Sequence, residues 1–344
     1  MILQTIRVED AVGKVLSHDI TKIVKGEFKG AYFKKGRVIN KQDIPELLKL
    51  GKENIYVLEI EKGEVHEDEA GVRLGIAVAG ENTRWTGPKE SRVNIYACCD
   101  GLLKINVPSL EAVNGLPDVI LSTLLNNTVV KKGDILAGTK VIPLLVPEHT
   151  LAEAERICRE AGWLIKVKPF KPHRVGVVIT GNEVYKKRIR DGFGPIIKEK
   201  VAAFGSAVTR VEYVPDDRDE IKNKICAMAA GGVEIIFVTG GMSVDPDDVT
   251  PKAIRLTGAI VEKYGAPALP GAMFMLAYLG DAPVLGIPAC GMFFKTTIVD
   301  LLLPRLLAGE KITGKDIVSL AHGGLCRSCD TCRFPNCTFG KGAN

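Results

Sequence analysis

Apolar and polar positions follow two rhythms in the second half of the chain. Residues 174–180 read R-V-G-V-V-I-T and residues 233–239 read V-E-I-I-F-V-T, two nearly continuous apolar runs that each end in Thr followed by Gly. Runs that are apolar on both faces are what strands buried inside a parallel sheet require. Between them the period lengthens. Over residues 194–204, Ile197, Val201 and Phe204 recur at helical spacing, with Pro195 near the start and Gly205 as the stop. Residues 207–213 read as a further strand. Residues 217–230 open with Asp217-x-x-Glu220 and carry the stripe Ile221, Ile225 and Met228, a second amphipathic helix. Strands alternating with helices of this length predict right-handed βαβ units, hence an α/β, doubly wound, mostly parallel sheet.

The first half is less regular and predicts mixed α+β or β-rich modules. A short helix is expected over residues 42–50 and a strand over residues 55–60. The acidic run 61–69 reads as an exposed connector. Residues 72–147 are short apolar runs broken by Gly, Pro and Asn, and residues 151–161 form a helix candidate. Residues 166–174 (K-V-K-P-F-K-P-H-R) read as a basic, Pro-interrupted linker, and the chain beyond Gly309 as a short tail. The expected modules are residues 1–60, 70–165, 174–309 and 320–344, with no internal repeat.

Composition narrows the function classes. With 344 residues the chain can hold two or three domains, and 46% hydrophobic with 25% charged residues is an ordinary globular balance. A net charge of +5 suits an anionic ligand. With 6% aromatic residues and no Lys/Arg cluster interleaved with aromatics, nucleic acid is not an expected partner. The first ten residues lack a signal-type apolar core and no run approaches the ~20 apolar residues that span a bilayer. The expectation is a cytoplasmic protein without a membrane partner.

The candidate chemistry sits where the strands end. Residues 238–251 read V-T-G-G-M-S-V-D-P-D-D-V-T-P, placing Thr239, Gly240, Gly241 and Ser243, then Asp245, Asp247 and Asp248, before a helix start at Thr250-Pro251. Glycines admit close approach of backbone N–H groups to an anion, and carboxylates nearby can hold a divalent metal that neutralises a phosphate. Thr180 and Gly181 end the other strand, followed by Asn182 and Glu183, and parallel strands bring such loops to one crevice. A plainer reading is available for each acid. Asp245, Asp247 and Asp248 could cap the helix near Thr250, and Glu183 could be the N-terminal charge of a short helix.

The segment from about Arg174 to Gly309 resembles the molybdopterin-binding domain shared by molybdopterin adenylyltransferases and molybdopterin molybdenumtransferases. The resemblance rests on I-T-G-N-E-V (179–184), R-I-R-D (188–191), the 238–251 loop, Pro270-Gly271, and G-I-P (286–288) before a closing helix. The first half looks distantly like the preceding domains of the molybdenumtransferases. The resemblance implies that the Thr180-Gly181 and Gly240–Ser243 loops, with Thr239, Asp245, Pro270, Gly271 and Pro288, hold the pterin and its phosphate or adenylate. It implies that Glu183, Asp191 and Asp248 handle Mg²⁺ or molybdate, and that the activity is insertion of molybdate into adenylylated molybdopterin with release of AMP. It further implies a homo-oligomer, a dimer, with molybdoenzyme apoproteins as candidate partners. The chain departs from the pattern at four places. Asp245 replaces a Gly, Gly192-Phe193 replace Ser-Asn after Asp191, Ala272-Met273 replace Lys-Pro after Pro270-Gly271, and Pro288-Ala289-Cys290-Gly291 replaces Pro-Gly-Asn-Pro. Pterin binding tolerates these changes more easily than catalysis does. A non-catalytic molybdopterin carrier or sensor is therefore the alternative, and a nucleotide pyrophosphatase of the competence/damage-inducible family, which shares this domain, the third reading.

Nine cysteines are many for a chain of this kind. Cys158, Cys226 and Cys290 read as small core residues, and Cys98-Cys99 as adjacent core and surface positions of a strand. Cys326, Cys329, Cys332 and Cys337 form C-x2-C-x2-C-x4-C, a spacing at which four thiolates can wrap a Zn²⁺ ion or an Fe–S cluster, with His322 as a substitute ligand. Free thiols in a disordered tail are the alternative.

Overall fold

The computed structural model describes residues 2–24, 28–59, 62–89, 91–243, 245 and 248–342. The chain divides into two compact units, one made of residues 1–98, 105–124 and 132–166, the other of residues 99–104, 125–131 and 167–344.

In the first unit, Ile2–Arg7 pairs antiparallel with Asn54–Glu59, and Ile20–Val24 with Phe28–Phe33. A small core of Val8, Leu16, Ile20, Phe33, Leu47, Ile55 and Val57 joins them to the helix Asp43–Lys49. A four-stranded antiparallel sheet follows, in the order Thr83–Lys89, Arg92–Ala97, Ile135–Val141, Val119–Thr123. Part of the acidic connector is not a connector. Ile60 and Glu61 lie outside the described residues, but Glu64–His66 is a strand and Glu67–Val78 a helix. The reason is the stripe Ala70, Gly71, Leu74, Gly75 and Val78, which is buried behind the charged first turn. Glu67 itself is buried, 2.5 Å from Lys35 Nζ.

The second unit holds the sheet that positions the site. Its strands are β1 (Arg174–Thr180), β2 (Ala207–Val214), β3 (Ile235–Thr239), β4 (Ile260–Tyr264), β5 (Met275–Leu279) and β6 (Ala282–Ile287), in the order β2-β1-β3-β6-β5-β4. The first four in that order are parallel, and β5 and β4 close the far edge antiparallel. The helices are α1 (Asn182–Tyr185), α2 (Phe193–Ala202), α3 (Arg218–Ala230), α4 (Thr250–Leu256), α5 (Cys290–Phe293), α6 (Ile298–Leu307) and α7 (Gly314–Ser319). Side chains alternate across the sheet as a two-residue period demands. Val177, Ile179, Phe237, Leu285 and Ile287 pack on one face with α2, α6 and α7, while Val178, Ile236, Val238 and Val284 pack on the other with α3 and α4. Helices on both faces make the sheet doubly wound, as the apolar runs predict. Asp217 caps α3, its Oδ1 accepting from Asp219 N and Glu220 N at 2.9 Å.

Two expectations fail here. The basic linker begins as a strand, Ile165–Pro169, because Ile165 and Val167 are buried on alternate positions. The tail is structured. Thr313 and Asp316 form a reciprocal capping box that starts α7, and Ile317 and Leu320 of this segment join the core.

A half-buried charge network closes the end of α6. Glu310 accepts from Lys104 at 2.8 Å and from Arg305 at 2.9 Å, and Arg305 reaches Asp316 at 2.7 Å. Burial pushes the Glu310 and Asp316 carboxyls up, but hydrogen bonds from these cations, and from Thr313 to Asp316, outweigh it, holding Asp316 at about 2. Removing one partner leaves the others unpaired in a half-buried site, so Glu310→Gln is expected to destabilise the protein by about 2 kcal/mol in denaturant melts. A depressed carboxyl stabilises the fold above its unfolded value of about 3.9. Asp316's share is therefore lost as pH falls from about 4 through about 2, and an Asp316→Asn variant should show a flatter acid limb in pH-dependent melts.

Candidate functional site

The ladder decides which loops meet. β3 and β6 run parallel with Thr239 opposite Ile287, so Gly240 and Pro288 leave the sheet side by side. β5 runs the other way, with Met275 opposite Gly286, so the segment entering it, Pro270–Met273, arrives at the same edge. Together these segments line a cleft of about 540 Å³ formed by Gly240–Ser243, Asp248, Leu269–Met273, Pro288–Cys290, Phe294, Leu325, Cys326 and Ser328.

The Gly240-Gly241 turn rests on three threonines, Thr180, Thr239 and Thr250, none more than 4% exposed. Thr180 Oγ1 donates to Thr239 O at 3.0 Å and shares a hydrogen bond with Thr250 Oγ1 at 3.5 Å. Gly240 has φ +87°, and a Cβ there would lie 2.7 Å from Thr180 O; Gly241 has φ +56°, and its Cβ would lie 2.8 Å from Thr250 Oγ1. Only glycine fits either position. Among the described residues, Thr239 Oγ1 is buried without a hydrogen-bond partner, next to Gly240 in the chain. Across the cleft, Ile298 N donates to Pro270 O at 3.2 Å, and Gly271, at φ +125°, leaves 2.6 Å between its missing Cβ and Ile298 Cγ2. Met242 is buried against Gly286, and Tyr264 Oη donates to Met242 O at 2.8 Å.

Of the sequence-predicted site residues, the cleft gathers Gly240, Gly241, Ser243, Asp248, Pro270, Gly271 and Pro288. Thr180 and Thr239 lie behind its wall as supports. Asp248 is half-buried and Asp245 exposed, and Asp248 Oδ2 accepts from Asp245 N at 3.0 Å. Among the described residues, no side chain makes a capping hydrogen bond to α4, whose N-cap is Val249, so neither Asp245 nor Asp248 caps it in that way; Asp247 lies outside the described residues. Gly181 starts α1, and Glu183 folds back over it, with Oε1 2.9 Å from where a Gly181 Cβ would be. Glu183 thus occupies the first turn of a short helix, outside the cleft lining. Asp191 is also outside that lining. It accepts from Phe193 N at 2.8 Å, Gly194 N at 3.0 Å and Tyr213 Oη at 3.1 Å, fixing the start of α2. Among the described residues, no three His, Cys, Asp or Glu side chains are grouped so as to hold a metal ion.

The lining that sequence reasoning missed is largely apolar: Leu269, Met273, Phe294 and Leu325. Leu269 and Leu325 are 54% and 69% exposed, and their pairing at the cleft is not visible in the letters. Cys290 is not a core residue but half-buried on the cleft wall, where burial raises its thiol. Cys226 is likewise half-buried, and Cys158 is buried, pushed up to about 11 by burial. Cys98 and Cys99 lie in a bend after Arg92–Ala97 rather than on the strand. The tail cysteines converge on a second chamber, described below.

Residues 176–308 match the family model described as "Probable molybdopterin binding domain", and residues 5–59 one described as "Domain of unknown function (DUF8806)". The second unit therefore carries a molybdopterin-binding-type domain. Curated relatives are called CinA-like protein. That of Mycobacterium leprae is 30% identical over 81 residues, 24% of this chain and 19% of the relative, and that of Mycobacterium tuberculosis is 32% identical over the same shares. The chain thus spans about a fifth of the length of these relatives. Among solved structures, the molybdopterin biosynthesis enzyme MoaB of Thermus thermophilus is 21% identical over 40% of this chain and 98% of its own, at a TM-score of 0.33. CinA of Thermoplasma acidophilum is 16% identical over 38% and 96%, at a TM-score of 0.34.

Substituting Gly240 tests the turn. Gly240→Ala should destabilise the protein by about 3 kcal/mol, combining left-handed strain with the clash at Thr180, whereas Gly205→Ala, at φ +76° with open space, should lose only about 1 kcal/mol. Equal losses in denaturant titrations would mean that the Thr180 contact does not constrain the turn.

Proposed function

We propose that the cleft binds molybdopterin or its adenylate and that the protein acts in molybdenum cofactor biosynthesis, inserting molybdate into adenylylated molybdopterin with release of AMP. The observation that carries the reading is the meeting of Gly240-Gly241, Ser243, Asp248, Pro270-Gly271 and Pro288 at one strand edge, inside the segment that matches the molybdopterin-binding model. The roles follow from chemistry. Bare backbone at Gly240 and Gly241 lets the ligand's anionic end approach the amides, and Ser243 adds a hydroxyl donor. The apolar walls, Leu269, Met273 and Phe294, suit the flat ring system and keep water from it.

Among the described residues, Asp248 is the carboxylate of the cleft lining that fits Mg²⁺. Magnesium is commonly bound by one or two carboxylates completed by substrate phosphates, so a single half-buried carboxylate on the cleft wall is a sufficient protein ligand. When bound it would supply neutralisation of the phosphate charge. The protein provides no nucleophile in this reading; it positions the ligand and excludes water. A carrier function, with pterin bound but not turned over, is the second reading, and the placement of Glu183 and Asp191 outside the cleft lining favours it.

AMP release from adenylylated molybdopterin, followed anaerobically with and without molybdate and Mg²⁺, separates the two. Molybdate-dependent release is expected, falling about a hundredfold or more in Asp248→Asn while the melting temperature and pterin affinity stay near those of the parent protein. Tight pterin binding without release would instead establish the carrier.

A further inference from the structure

The pterin reading leaves four thiols unused. The tail segment that bears them, residues 323–340, is closed at its base by Gly340 N donating to Gly323 O at 2.9 Å. It is docked onto the domain. Leu269 N donates to Gly324 O and Cys326 N to Leu269 O, both at 2.8 Å, a parallel bridge to the residue just before Pro270. The fit is close at both ends, where a Cβ on Gly324 would lie 2.2 Å from Pro267 O and one on Gly340 2.4 Å from Leu301 Cδ2. Phe339 is 2% exposed, sealing the segment against the domain.

Inside this segment Cys326, Cys329, Cys332 and Cys337 all line one chamber of about 450 Å³, with Phe293, Phe294, Phe334 and Phe339 around them. Among the described residues, no three of these side chains are grouped so as to hold a single metal ion. Candidate occupants differ in how tightly they gather four thiolates. A tetrahedral zinc with bonds of about 2.3 Å brings its sulfurs to roughly 3.8 Å from one another. A cubane cluster binds one thiolate at each of four corners, so its ligands surround a larger centre than a single ion does. Lys295, Arg327 and Arg333 also line the chamber, against one acid, Asp330, a balance that suits a cluster made net negative by four thiolates. His322 is not among the lining residues.

The chamber shares Phe294, Cys326 and Ser328 with the pterin cleft. We propose that Cys326, Cys329, Cys332 and Cys337 bind a [4Fe–4S] cluster, and that through Cys326, a ligand on one side and a cleft wall on the other, cluster loading and pterin binding are linked. On binding, each thiol loses its proton to solvent. The cluster claim stands on the chamber alone, while the linkage rests on the pterin reading.

The test is anaerobic reconstitution of the full chain with equal parts of ferrous and ferric iron and with sulfide, followed by metal and sulfide analysis and molybdopterin titration of the loaded and stripped forms. About four iron and four sulfide per chain are expected. Cys329→Ser and Cys332→Ser, both at exposed positions, should lose most of the iron while melting like the stripped parent protein. Molybdopterin affinity should differ at least about fivefold between loaded and stripped protein. One zinc per chain with no iron taken up would overturn the cluster, and equal affinities would overturn the linkage. If neither form binds pterin, the linkage and the pterin reading both fall, and the iron and sulfide content still decides the cluster.

Discussion

The cleft depends on how closely the backbone at Gly240-Gly241 can approach the threonines beneath it. Thr180 comes from the end of β1, Thr239 from the end of β3 and Thr250 from the start of α4, so one buried cluster ties two parallel strands and the following helix to a single turn. No side chain fits on the turn, because Thr180 O and the Thr250 hydroxyl already occupy the space a Cβ would need. The outcome is a backbone surface held bare and rigid, which a phosphate-bearing ligand requires. Gly271 meets the same constraint against Ile298 on the opposite wall.

The parts of this arrangement that were legible in the sequence are those with a local cause. Apolar runs ending in Thr-Gly marked β1 and β3, and the stripe Ile221, Ile225, Met228 marked α3. The helix Glu67–Val78 was not legible, because its buried stripe uses Ala and Gly behind a strongly acidic first turn and reads as charge rather than periodicity. Among the candidate site residues, glycines and prolines at strand ends were recoverable, since their function is conformational. The positions of the acids were not. Whether Asp191 faces a cleft or fixes a helix start depends on Tyr213, distant in sequence and brought beside it by the β1–β2 pairing.

The tail shows the same division more sharply. Four cysteines at short spacing can be read from the letters as candidate metal ligands, yet nothing in the letters says that Gly324 and Cys326 hydrogen-bond to Leu269 and bring the thiols beside the Pro270-Gly271 wall. That docking makes one neighbourhood of two features that look unrelated along the chain. It also explains why Leu325, prominent in exposure, stands at the mouth of the cleft.

In the proposed function a pterin occupies the space between the Gly240-Gly241 turn and the Pro270-Gly271 wall. A crystal structure of the protein grown with molybdopterin tests it most directly. The account predicts electron density for the pterin in this cleft, with its phosphate against the amides of Gly240 and Gly241. Density for the pterin elsewhere on the second unit, with the cleft free, would contradict it.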